Sequence, residues 1–90
     1  MENKLIYSGT VPLGGTVPVP NELGVWYKVQ PGDENSPIIF RHLWNYDSST
    51  HVVEKYGTSW LRVDITATDK TTVSIANNQG RNQSIKVYRL

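Results

Sequence analysis

The chain predicts an all-β fold: an antiparallel β-sandwich or jelly-roll-like arrangement of about eight short strands in a single domain over residues 1–90. Three observations predict it. Val, Ile and Thr supply 24 residues against nine Ala, Leu and Met, and β-branched side chains suit a pleated, half-buried surface better than a helix. Apolar runs recur at roughly 8–12-residue spacing between turn signals, and no segment sustains a helical period. Ninety residues is enough chain for one two-layer core.

Lys4–Tyr7 reads as a first strand, stopped by Ser8 and Gly9. Pro12, Gly14 and Gly15 then mark a loop before Thr16–Val19. Pro18 and Pro20 cannot donate to a ladder, so this second strand belongs at a sheet edge, with the C-terminal strand as its expected partner. From Leu23 to Val29, Leu23, Val25, Tyr27 and Val29 share one face, which turns Trp26 away from the core. Gln30–Pro37 is a turn by composition. Ile38–Trp44 carries apolar residues on both parities and is expected to be a strand covered on both faces.

After the loop Asn45–Thr50, His51–Tyr56 reads as a short strand closed by Gly57. Trp60–Thr68 has the cleanest alternation, with Leu61, Val63, Ile65 and Ala67 opposed to Trp60, Arg62, Asp64 and Thr66. Asp69 and Lys70 turn the chain into Thr71–Ala76, where Val73 and Ile75 face inward. Asn77–Asn82 offers Asn and Gly for a tight turn, and Ser84–Leu90 closes the chain as a paired strand.

Composition also narrows the function. The net charge is +1 with nine basic and eight acidic residues dispersed along the chain, not the footprint that a phosphate backbone demands, so no nucleic-acid partner is expected. No apolar run approaches the roughly 20 residues of a membrane helix, and MENKLIYSG has no signal-peptide core, so neither membrane insertion nor signal-led secretion is expected. The absence of cysteine excludes disulfides and thiolate metal sites. His42 and His51 could ligate a metal with Asp47, but their spacing matches no ligand motif, and strand histidines bonded to a neighbour are the more economical reading. Asp33, Glu34, Asp47 and Glu54 could supply a glycosidase pair, against which solvated loop carboxylates weigh more heavily. No serine stands in a nucleophile-elbow context. No enzyme, cofactor or metal is therefore expected.

The aromatic residues are the better candidates. Trp26 and Trp60 fall on the polar parity of their strands, and Trp44 and Tyr46 flank a loop. A half-exposed ring can stack on a sugar or anchor a protein contact, because it offers large apolar area at low entropy cost. Against that stands a partly covered second face, or an oligomer interface filled by the indoles.

LIYSGT, GGTVPVP, the strand GVWYKV, and the ending SIKVYRL preceded by TTVSIANNQGRNQ resemble a short module of tailed-phage and prophage minor tail, tail-fibre and receptor-binding proteins. In that module an L-Y-S-G start is followed by G-T-V, an alternating apolar and Tyr strand, and an I-K-I-Y-K-like end. The likeness covers both ends and the third strand and leaves about residues 33–56 unmatched. Pro12, Pro18, Pro20 and the final Arg-Leu depart from the pattern, which bears on the pairing of the second strand.

The resemblance implies a virion structural or host-attachment module located in the tail and assembled in the host cytoplasm. It implies binding to other virion proteins or to itself in a symmetric assembly such as a trimer, with host-surface glycan as candidate ligand. Any glycan contact is expected on the loops 30–37, 45–50 and 77–82, at Trp44 and Tyr46 above all. The alternatives are a capsid or tail decoration or scaffold protein that buries Trp26 and Trp60 against neighbours, and a small carbohydrate-binding module or cell-wall glycan hydrolase.

Overall fold

The computed structural model describes residues 3–32, 37–57, 63–78 and 80–90. Among them eight antiparallel strands form two sheets: β1 (Lys4–Val11), β2 (Thr16–Pro20), β3 (Trp26–Pro31), β4 (Ile38–Asn45), β5 (Thr50–Tyr56), β6 (Val63–Asp69), β7 (Thr72–Asn77) and β8 (Gln83–Arg89). The larger sheet has the order β1-β8-β3-β4-β5, and the smaller has β2-β7-β6. The all-β, sandwich-like class read from composition and spacing is the observed one.

The topology follows from nested pairing. β1 lies on β8 in one sheet and β2 on β7 in the other, so the two ends of the chain are laid together and the halves of the Leu5–Val19 stretch are split between layers. This corrects the expected pairing of the second strand with the C-terminal strand. Its edge position stands, with Pro18 opposite Ser74 and Pro20 opposite Thr72. β8 is instead flanked by β1 and β3 and lies inside the larger sheet. Other edges carry further devices against stray pairing: a register irregularity between Leu5 and Tyr7 on β1, and an inward-turned Lys55 on β5 that reaches Asp64 Oδ1 at 2.7 Å.

β1 does not end at Ser8 and Gly9. It runs on to Val11, with Ser8 opposite Lys86 and Gly9 opposite Ile85. Gly9 leaves room for the Tyr7 side chain, since a Cβ there would lie 2.9 Å from the Tyr7 hydroxyl and push that ring aside. β4 is likewise simpler than its sequence suggests. Ile38, Phe40 and His42 are buried while Ile39, Arg41 and Leu43 are only half-buried, so the strand is covered fully on one face. Its outward apolar residues rest on neighbours across the outer face of the sheet, a contact that parity alone cannot distinguish from a second layer.

The core lies between the sheets. Val11, Tyr27, Val29, Ile38, Phe40, Ile85 and Val87 from the larger sheet meet Val19, Val63, Ile65, Val73 and Ile75 from the smaller. Tyr27 stacks on Phe40 at 5.4 Å between ring centroids. Polar residues close the core at both ends. At one end Asn77 is buried and its amide donates to Val11 O, Pro12 O and Arg81 O, tying the β1–β2 and β7–β8 connections together. At the other end Asn21 and His42 are buried.

Candidate functional site

Trp44 sits on the inward parity of β4, directly opposite His51 on β5. Inward residues at the end of a strand pass the rim of the core, which places this indole beside the β4–β5 turn. The turn is built locally. Asn45 Oδ1 accepts from the backbone N–H of Asp47 at 3.0 Å and of Ser48 at 3.4 Å, and Ser49 takes a positive φ of 54°. Ser48 Oγ and Thr50 Oγ1, 2.6 Å apart, brace the return. Tyr46 is thereby pushed outward and stands 79% exposed.

Trp44 and Tyr46 meet edge to face, with centroids 6.4 Å apart. Beside them Leu43, Asn45, Asp47 and Val52 complete a shallow cleft of about 410 Å³. Leu43 and Val52 are a cross-strand pair on the outer face of the larger sheet, so the cleft opens at the corner between that face and the turn. The other side of the aromatic pair is covered from the smaller sheet. Lys70 Nζ lies 4.5 Å from the Trp44 ring centroid and 5.8 Å from that of Tyr46. The His51 ring meets Trp44 at 4.8 Å and 65°.

Behind Trp44 is a polar chain. His51 Nδ1 is 2.9 Å from His42 Nε2, and His42 Nδ1 is 2.9 Å from Asn21 Nδ2. The Asn21 backbone N–H donates to Thr71 O at 2.8 Å, and Asp69 Oδ1 accepts from the Thr71 N–H and hydroxyl. Those bonds hold the Asp69 carboxyl below its ordinary pKa, the backbone N–H of Thr71 contributing most. His42 is held below 6.5, first by burial, which disfavours the charged ring, and then by the field of His51, with Asp69 acting in the opposite sense. The β6–β7 turn and the end of the β4–β5 hairpin are thus joined both by hydrogen bonds and by Lys70.

A second aromatic group lies on the outer face of the larger sheet. Trp26, Arg41 and Glu54 form one cross-strand row. The Arg41 guanidinium lies 4.6 Å from the Trp26 ring and bonds Glu54 Oε1 at 2.7 Å, while Tyr56 approaches Trp26 at 5.8 Å. Trp26 therefore points away from the core as its parity requires, but it is far from bare. A parallel row, Leu5, Tyr88, Lys28, Ile39 and Tyr56, crosses the same face, with Lys28 Nζ 4.9 Å from the Tyr88 ring.

The structure thus brings Trp44 and Tyr46 together and puts Trp26 in a separate group. Trp60 lies outside the described residues. His42 and His51 are bonded to each other, as strand histidines with a neighbour, and among the described residues no group of three His, Cys, Asp or Glu could hold a metal ion. Lys70, Asn21 and the Leu43–Val52 pair are the additions that sequence reading did not make. The hairpin register could have supplied His51 opposite Trp44 once the turn was placed. Lys70 arrives from another sheet and had no local signal. No protein-family model matches the chain, and no curated protein or solved structure matches it either.

Proposed function

We propose that the chain is a non-catalytic attachment module of a virion tail that contacts host-surface glycan at the β4–β5 turn. The virion setting comes from the resemblance of both ends of the chain to phage tail modules. The observation that carries the binding role is the exposed Tyr46 ring beside Trp44, over a cleft with an apolar floor of Leu43 and Val52 and polar groups from Asn45 and Asp47. That combination suits a sugar, which presents a C–H face to stack on a ring and hydroxyls to bond carboxylates and amides. Glu54, by contrast, is paired with Arg41 and offers no free carboxylate for a glycosidase pair.

The test is binding to immobilised bacterial surface polysaccharides. Tyr46→Ala and Trp44→Ala are expected to weaken binding at least tenfold, as loss of an aromatic anchor does, while Trp26→Ala leaves it unchanged. Equal binding by all four proteins would refute the site.

A second reading, an oligomeric tail or decoration scaffold, is favoured by the outer face of the larger sheet, where Leu5 and Tyr56 stay exposed beside Trp26 and Ile39. Sedimentation equilibrium distinguishes it: this reading expects a defined oligomer that Tyr56→Lys dissociates, and a strict monomer at high concentration rejects it.

A further inference from the structure

We propose that Asn21, His42 and His51 form a proton-operated relay that reverses its hydrogen-bond direction on taking up one proton, and so sets how tightly Lys70 covers Trp44 and Tyr46.

The argument begins with donors and acceptors. Asn21 presents its amide nitrogen to His42 Nδ1, and an amide N–H₂ can only donate, so Nδ1 is the unprotonated nitrogen of a neutral ring. Nε2 then carries the His42 proton and donates it to His51 Nδ1, which leaves His51 protonated at Nε2. The arrangement satisfies both nitrogens of a fully buried imidazole, at one cost: Asn21 Oδ1 is buried without a partner. That orphan oxygen is the acceptor a protonated Nδ1 would need. A half-turn of the amide exchanges Nδ2 for Oδ1 at the same position.

The proton count closes. The neutral pair holds two ring protons, at His42 Nε2 and His51 Nε2. After uptake of one solvent proton there are three: at His42 Nδ1 facing the turned Asn21 Oδ1, at His51 Nε2, and one shared between His42 Nε2 and His51 Nδ1. Whichever ring keeps the shared proton, His42 Nδ1 becomes protonated and Asn21 must turn. Burial disfavours a charge on the His42 ring. The charged groups that face the pair from the smaller sheet are Asp69 and Lys70 of the β6–β7 turn. The β2–β3 connection supplies uncharged Asn21, and Glu22 beyond it is paired with Arg89.

The consequence reaches the aromatic pair. An imidazolium at His51 places a second cation against the indole that Lys70 already faces, and the two repel. Lys70 is then released from the Trp44 and Tyr46 faces. That release opens a second ring face, opposite the Leu43–Val52 cleft, to a ligand that reaches around the turn, and losing one exposed cation–π cover there corresponds to a gain of about two- to fivefold in its affinity. This last step rests on the binding role proposed for Trp44 and Tyr46; the relay itself does not.

The experiment is nitrogen-15 NMR of the histidine rings in the whole chain, followed from about pH 8 to about pH 5. The expected result is His42 Nδ1 changing from an unprotonated to a protonated nitrogen, with the Asn21 side-chain amide resonances shifting at the same midpoint. In Asn21→Asp, whose carboxylate can only accept, Nδ1 is expected to stay protonated throughout and the transition to vanish. A His42 Nδ1 that remains unprotonated while His51 titrates alone overturns the relay. Polysaccharide binding measured at both pH values separates the two ideas. An observed relay with Trp44-dependent binding that does not change with pH refutes the gating. Binding indifferent to Trp44→Ala refutes the site and leaves the relay to the NMR result.

Discussion

Replacing Asn77 tests whether the two sheets are joined at the end of the core as described. Its side-chain amide is buried and donates to Arg81 O at 2.7 Å, Val11 O at 3.1 Å and Pro12 O at 3.4 Å, so one residue of β7 closes two chain connections and the end of β1. In Asn77→Ala the Val11 carbonyl, inside the core, loses its amide donor at a cost of about 1–3 kcal/mol, and the Arg81 carbonyl, nearer water, about 0.5–1.5 kcal/mol. The sum, about 1.5–4.5 kcal/mol, is a large share of the roughly 5–13 kcal/mol expected for a 90-residue chain. With a urea m-value of about 1.5 kcal/mol/M, the unfolding midpoint should fall by about 1–3 M at unchanged m.

Asn77→Asp sharpens the test, because at neutral pH it replaces the donor with an acceptor-only carboxylate facing three carbonyl oxygens. It should be less stable than Asn77→Ala at pH 7. Its folded-state pKa is raised, so the penalty shrinks as pH falls and the protonated acid recovers a donor. Urea unfolding read by circular dichroism at several pH values measures both. A loss below about 0.5 kcal/mol in Asn77→Ala, or an Asp variant more stable than the Ala variant at pH 7, would refute the donor assignment.

Three further outcomes are expected. Phe40→Ala, which empties a fully buried site stacked on Tyr27, should cost about 3–5 kcal/mol by chemical denaturation, and Phe40→Leu well under half of that. Gly57→Ala should cost about 3 kcal/mol or more, since φ is 120° and a Cβ would lie 2.6 Å from Pro37 O, whereas Gly14→Ala, at φ 66° in open space, should cost only about 1 kcal/mol in the same assay. Stability should decline as pH falls below about 6.5, because the unfolded chain protonates His42 there while the folded chain, with its lowered pKa, resists. One such proton limits the slope to about 1.4 kcal/mol per pH unit, and thermal melts of His42→Gln should lose this slope.

Much of the fold was legible because strand patterning is local. Two-residue periodicity marks Tyr27 and Val29, Val63 and Ile65, Val73 and Ile75 as inward-facing, and all six are buried; of the others it assigns inward, Val25 and Ala67 are half-buried, and Leu23, which precedes β3, is exposed. Pro18 and Pro20 mark an edge because a missing N–H excludes any interior position, whatever the partner strand. Strand ends were less legible: Ser8 and Gly9 resemble a stop, yet they continue β1 because β8 supplies the ladder, with Gly9 leaving room for the Tyr7 ring. For the site, Trp44 and Tyr46 could be singled out from their place beside a loop, but not what they touch.

What the amino-acid order determined by itself is therefore the set of strands, the inward residues of most of them, and the aromatic turn at residues 44–46. Each depends on neighbours within a few positions along the chain. Partnership was decided only in three dimensions: β1 with β8 and β2 with β7 in separate sheets, Asn77 against Val11, and Lys70 over Trp44. Those contacts join residues from 26 positions apart, Trp44 and Lys70, to 85, Lys4 and Arg89. Burial of the shared core between the layers selects them, and no local preference encodes which distant strand completes a sheet.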